Sequence, residues 1–292
     1  MMDFKEAYKQ ALLLTFDFTA KFLDDHNLHW WGAYGTCIGA IRHQGLIPWD
    51  DDIDIYMLRS DYNKLLSLQG EIQKYGYDLL SAHNGKNSMF FTKISNQHTT
   101  LVAEAEEPLD VGVFIDVFPL DYLDGDVSEF DSNYKALKKW TGLHKYLYFR
   151  VTLGDIIRTL KSDRSKALRY LYSLLSPRFL KMWTKAKVED VERRLSSTNH
   201  GDYLVSYFGP YGRKEILKSE WFDDFELMDY EGRKIKVPKH CADYLRQIYG
   251  DFMKPPAVIP ETTHCQYYVN LKEKVDLNEV RHYVKKGLTR VY

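Results

Sequence analysis

The chain has 292 residues, 45% of them apolar, with 40 Lys and Arg against 41 Asp and Glu for a net charge of −1. That length buries a substantial core and suits one large domain or a domain with an appended lobe. Charged residues at 28% and aromatics at 15% exclude a disordered or collagen-like chain. No apolar run approaches the length of a spanning helix, and the N-terminus lacks the basic-then-apolar pattern of a secretory leader. Three scattered cysteines make no disulfide framework. A soluble cytoplasmic protein is expected.

Apolar residues at three-to-four spacing (Phe4, Tyr8, Ala11, Leu14, Phe18, Phe22) predict a helix over 3–25. Residues 29–34 read as a short aromatic strand, stopped at Gly35. Thr36 is placed to cap a short helix over 37–42. Gly45 and Pro48 mark a loop into 52–57, which alternates acidic and apolar residues like an edge strand. Residues 60–72 read as helix, and 77–81, 89–94 and 100–103 as strands. The strongest strand is 112–119, ended by its proline. Residues 126–196 are mainly helical, with breaks near Gly154 and Pro177, and turns follow at Gly209-Pro210, Gly232 and Pro255-Pro256. No internal repeat is present. The expected organisation is an α/β core over 1–125, a basic helical insertion over 126–200, and a C-terminal α/β part over 201–292 that returns to complete the site.

The insertion concentrates charge. Fourteen Lys and Arg stand against two Asp between residues 135 and 187. Trp140, Tyr146, Tyr148, Phe149, Tyr170, Tyr172, Phe179 and Trp183 are interleaved with them. Such a segment packs its apolar face on the main domain, contacts an anionic membrane surface, or binds nucleic acid.

The chemistry is concentrated in 34–55. Asp50, Asp52 and Asp54 are two apart, so on an extended segment they project from one face. Three such carboxylates repel each other unless a cation neutralises them, and a hard divalent ion with oxygen ligands, typically Mg²⁺, suits a phosphate substrate. Asp116 stands alone among Val113, Phe114, Ile115, Val117 and Phe118. A lone carboxylate there is costly unless paired or metal-bound, so it is expected to join Asp52 and Asp54. Upstream, Gly35-Thr36 opens a helix whose first N–H groups can meet a phosphate. Glycine turn, short helix, then paired acids on a strand is the layout of metal-dependent nucleotidyl transfer. Arg42, at the helix end, makes either bidentate phosphate contacts or a surface interaction with the helix dipole. His240-Cys241 and His264-Cys265 lack zinc-site spacing. No Walker A loop, His-Glu-x-x-His or G-x-S-x-G occurs.

These residues resemble the LicD family, also called fukutin-related, of the nucleotidyltransferase-fold superfamily. The signature runs from Gly35-Thr36 through Gly39-Ala40-x-Arg42-His43 to Ile47-Pro48-Trp49-Asp50-x-Asp52-Ile53-Asp54. Lys93-Ile94 with Thr99-Thr100, then 112–121, follow in order. Tyr249-Gly250-Asp251-Phe252-Met253, Pro255-Pro256 and His264 look like the family's terminal motif. The resemblance covers most of the chain and is poor over 126–196.

It implies an α+β fold with a nucleotidyltransferase-like mixed sheet core, helices and an inserted basic helical lobe. It also implies a cytosolic metal-dependent transferase. Such an enzyme moves a phospho-substituent, best phosphocholine from CDP-choline, onto a hydroxyl of a lipid-linked glycan precursor. The acceptor is a teichoic acid, lipopolysaccharide or capsule repeat unit. The same family also transfers glycerol or ribitol phosphate. Asp52 and Asp54 would hold Mg²⁺ or Mn²⁺ against the donor diphosphate, with Asp116 a third ligand or the base. Lys93 would neutralise phosphate charge, and Gly35, Thr36, Arg42 and His264 would contact substrate. The 135–187 region is then expected to lie peripherally on the inner face of the cytoplasmic membrane, with no nucleic acid bound. An RNA-directed nucleotidyltransferase using that region as a platform is the competing reading.

Overall fold

In the computed structural model, the described residues are 3–102, 111–124, 127–149, 151–177, 179–259, 268–276, 279–280 and 289–291. The first helix, α1 (Phe4–Asp25), contains no Gly or Pro and buries Leu12, Leu13, Phe16 and Leu23 against the sheet. β1 (Trp31–Gly32) follows, then α2 (Tyr34–His43), whose C-terminus turns on Gln44 in the left-handed region. Gly39 packs there against the Gly45 carbonyl, where an added Cβ would stand 2.3 Å from the oxygen. β2 (Asp54–Leu58), α3 (Arg59–Ser67), α4 (Gln69–Ile72), β3 (Tyr77–Leu80), β4 (Thr92–Asn96), β5 (Thr100–Val102) and β6 (Phe114–Leu123) complete the N-terminal part. The helix expected over 60–72 is thus two, broken at Leu68.

The main sheet runs β1-β2-β6-β4-β3, and β2 and β6 are parallel in an otherwise antiparallel set. This is the expected α+β mixed sheet. β2 lies between β1 and β6, so it is an interior strand rather than an edge. β6 also runs past Pro119 instead of stopping there. The Asp116 amide donates to Ile53 of the β2 side, so alternation points position 119 the other way. There β4 pairing has ended at Val117 and the next partner begins at Asp121, so no neighbour misses the absent N–H.

Four helices form the insertion: α5 (Val127–Tyr146), α6 (Leu153–Leu160), α7 (Arg164–Leu175) and α8 (Phe179–Leu195). A Thr152–Asp155 capping box starts α6, and Asp163 caps α7, adding a break not expected from glycine or proline alone. β7 (Tyr203–Val205) and β8 (Ile216–Lys218) then extend the sheet from β6. β9 (Phe225–Tyr230) and β10 (Arg233–Pro238) make a hairpin whose Glu231 and Gly232 both have positive φ, the two-residue turn that matches strand twist. α9 (Cys241–Tyr249) packs on α2, while β11 (Tyr268–Asn270) pairs with β5 and with β12 (Thr289–Val291).

Candidate active site

Register across three strands assembles the centre of the site. Asp54 of β2 pairs with Asp116 of β6, and Asp116 pairs with Lys93 of β4. Directly opposed residues share a face, so the two acids and the lysine stand in one row. The Lys93 ammonium lies 2.6 and 2.9 Å from the two Asp116 carboxylate oxygens and 3.6 Å from the Phe114 ring centroid. Asp116 is therefore paired, as its apolar strand requires, and Lys93 is held on an interior strand.

The α2 N-terminus is tied to the same row. The Asp54 amide donates to Thr36 Oγ1 at 2.9 Å, and the Ala33 amide donates to the Asp54 carbonyl at 2.9 Å. This corrects the expected cap. α2 starts at Tyr34 with Ala33 at its N-cap, and the Thr36 hydroxyl, one turn inside, fastens the strand instead of the helix. Gly35 lies close under the acidic run, since a Cβ there would sit 2.6 Å from Asp50 Oδ2 and displace that carboxylate. The first-turn amides of Gly35 and Thr36 precede the helical hydrogen-bond ladder.

The acidic run is also arranged differently from the simple alternation of Asp50, Asp52 and Asp54. β2 begins only at Asp54, and Asp50, Asp51 and Asp52 precede it in irregular backbone, with carboxylate oxygens within 4.8 Å of one another. Asp51, excluded by strand periodicity, thereby joins the group. Burial above all, then the charges of Asp52, Asp116 and Asp50, push the Asp54 carboxyl well above the usual carboxylate range, with Lys93 opposing. Asp50, Asp51 and Asp52 together offer only carboxylate oxygens, a donor set that suits a hard divalent cation such as Mg²⁺ and lacks the His or Cys that zinc prefers.

A tyrosine network that the sequence did not announce backs the site. Tyr34, at φ 43°, donates its amide to Tyr244 Oη at 2.8 Å and its hydroxyl to Glu215 Oε2 at 2.5 Å. The Tyr211 amide donates to Glu215 Oε1 at 2.8 Å, and the Tyr211 hydroxyl meets Tyr249 Oη at 3.1 Å. Burial raises the Glu215 carboxyl to about 7. Burial above all raises the Tyr211 and Tyr249 phenols, with the Glu215 charge adding for Tyr211 and the Tyr244 phenol for Tyr249. Tyr34 and Glu215 are 181 positions apart, so no local pattern joins them.

Arg42 is turned toward the C-terminal part. Its guanidinium donates to the Phe252 carbonyl at 2.5 Å and lies 5.7 Å from the Trp49 ring centroid. His264 lies outside the described residues.

Residues 27–152 match the model of the LicD/FKTN/FKRP nucleotidyltransferase domain. The lipopolysaccharide cholinephosphotransferase LicD of Haemophilus influenzae is 28% identical over 240 residues, 80% of this chain and 85% of that protein. An uncharacterised protein of Rickettsia prowazekii is 32% identical over 92 residues, 26% of this chain and 35% of that protein.

Proposed function

The chain carries a LicD-family nucleotidyltransferase domain over residues 27–152, and from that premise we propose that it transfers phosphocholine from CDP-choline to a hydroxyl of a cell-surface glycan precursor. The observation that carries this reading is the Asp54–Asp116–Lys93 row with Asp50–Asp52 beside it. Similarity along four-fifths of the chain to a lipopolysaccharide cholinephosphotransferase supports the choice of phosphocholine.

Asp52, Asp54 and Asp116 are the residues that would hold Mg²⁺ or Mn²⁺. When bound, such an ion neutralises the donor diphosphate and polarises the phosphoryl group under attack. Gly35 and Thr36 direct their amides at a donor phosphate, where the helix dipole adds to their attraction. Lys93 gives the Asp116 carboxylate a counter-charge at 2.6 Å and holds it in place for the role of ligand or of base for the acceptor hydroxyl. Lys93 also brings positive charge to the phosphate that is transferred. Tyr211 and Tyr249, whose ring centroids lie 5.1 Å apart, offer the aromatic surroundings that a quaternary ammonium prefers. A polyol substituent carries no positive charge to use them.

The purified protein with Mg²⁺, supplied in turn with CDP-choline, CDP-ethanolamine, CDP-glycerol and CDP-ribitol plus glycan acceptor, tests the proposal through CMP release. CDP-choline should react fastest. Release from a polyol donor alone would select the polyol-phosphate activity, and no release from any CDP donor would reject the donor class.

A further inference from the structure

The helical insertion carries apolar surface that its own packing leaves uncovered. Ten of the nineteen large apolar side chains exposed among the described residues lie between Leu153 and Trp183. On α6, Leu153, Ile157 and Leu160 are 53–65% exposed at helical i, i+4, i+7 spacing, and the helix buries no residue. α7 packs on α6 and carries a like stripe, with Leu168, Leu171 and Leu175 exposed at i, i+3, i+7 spacing. Of the aromatics that the sequence offered as a contact face, only Phe179 and Trp183, on α8, are exposed; the others are half-buried or buried. Tyr170 is buried, and Phe149 packs between Tyr146 and Tyr170 at ring-centroid distances of 5.5 and 6.0 Å. The exposed stripes are aliphatic.

Charge identifies what covers them. Arg158, Lys161 and Arg164 are exposed around the α6–α7 junction, within the segment holding fourteen basic and two acidic residues. Nucleic acid would use the charge and leave the leucines in water, and an apolar protein partner would use the leucines without needing the charge. An anionic bilayer surface uses both, because aliphatic side chains enter the acyl boundary while Lys and Arg meet the headgroup phosphates. No helix among the described residues is long and apolar enough to cross a membrane, so the segment lies on the surface.

We propose that α6 and α7 form a membrane-docking face for anionic lipid, with Leu153, Ile157, Leu160, Leu168 and Leu175 inserted at the interface. The full chain should co-sediment with phosphatidylcholine vesicles containing phosphatidylserine, more weakly at high salt, and not with phosphatidylcholine alone. Leu153→Ser with Ile157→Ser should reduce partitioning roughly tenfold or more, as loss of two buried aliphatic groups implies, with unchanged circular dichroism. Lys161→Gln with Arg164→Gln, which leaves the apolar stripe intact, should weaken binding and reduce its salt dependence. Equal binding to both vesicle types, or full binding by the serine variant, would overturn the proposal. So would concentration-dependent self-association that the serine variant loses, since a second copy would then cover the stripe. The assay contains no nucleotide donor, so its outcome is independent of the proposed reaction.

Discussion

Asp54 is where stability and chemistry oppose each other. Its carboxyl is held up by burial and by three neighbouring aspartates, so in the metal-free protein ionisation costs stability as pH rises above the ordinary carboxylate range. Asp54→Asn removes that repulsion. It should stabilise the metal-free protein by about 1–2 kcal/mol and lower turnover by about a hundredfold or more. A melting curve with and without Mg²⁺ checks both halves: the variant should melt higher alone and gain nothing from the ion. The wild-type proton must leave before a cation binds, so Mg²⁺ affinity should rise as pH climbs above the ordinary carboxylate range. Calorimetric titration that shows no pH dependence would contradict this. Glu215 titrates separately. Its folded value of about 7 lies above the ordinary 4.5, so the fold favours the protonated form. Its stabilising contribution is full below the lower value and is lost as pH rises through the upper one. At pH 8 the charged group costs about 3 kcal/mol. Glu215→Gln should therefore outlast the parent against urea in mild alkali, with the difference shrinking toward the lower value. A constant difference across that range would remove Glu215 as the cause.

At the scale of elements, two buried fastenings set the geometry. One is Thr36 with Asp54, which fixes the α2 N-terminus against β2. The other joins α3, β6 and α8: Arg59 donates to both Asp121 oxygens at 2.8 Å and to Glu192 at 3.1 Å, all three residues being buried. The two acids hold Arg59 protonated despite its burial. This cluster anchors the helical insertion to the sheet that carries Asp116, since Asp121 lies five residues along the same strand. Removing the cation leaves two carboxylates buried and opposed, so Arg59→Ala should cost about 3–5 kcal/mol. Urea unfolding measures the loss, and a cost near that of a surface substitution would show that water reaches the acids.

At the scale of the molecule, the site draws on three regions: the α2–β2 segment, the β4–β6 pair and the C-terminal tyrosines and Glu215. Donor and divalent ion together should bridge the first two. Mg²⁺ with CDP-choline at about a hundred times its dissociation constant should stabilise the fold by about 2.7 kcal/mol, while donor with chelator should give little. Equal thermal shifts in both conditions would detach the aspartates from donor binding.

What the sequence determined by itself is local: the acidic run after Gly35-Thr36, the strand around Asp116, the α+β class and the basic character of 126–200. These depend on residue type and short spacing, which backbone geometry converts directly into helices, strands and turns. Relations between distant segments were decided by tertiary structure. Register alone sets Lys93 beside Asp116 and Asp116 beside Asp54, because the pairing partner of a strand is fixed by the sheet and not by its own pattern. Pro119 continues β6 because of a gap between two neighbours, and Thr36 serves β2 instead of capping α2 because Asp54 presents an amide to it. The Tyr34–Glu215 bond and the inward turn of Tyr170 have the same origin. Each depends on what the folded chain packs opposite a residue, and periodicity along the chain carries no information about that.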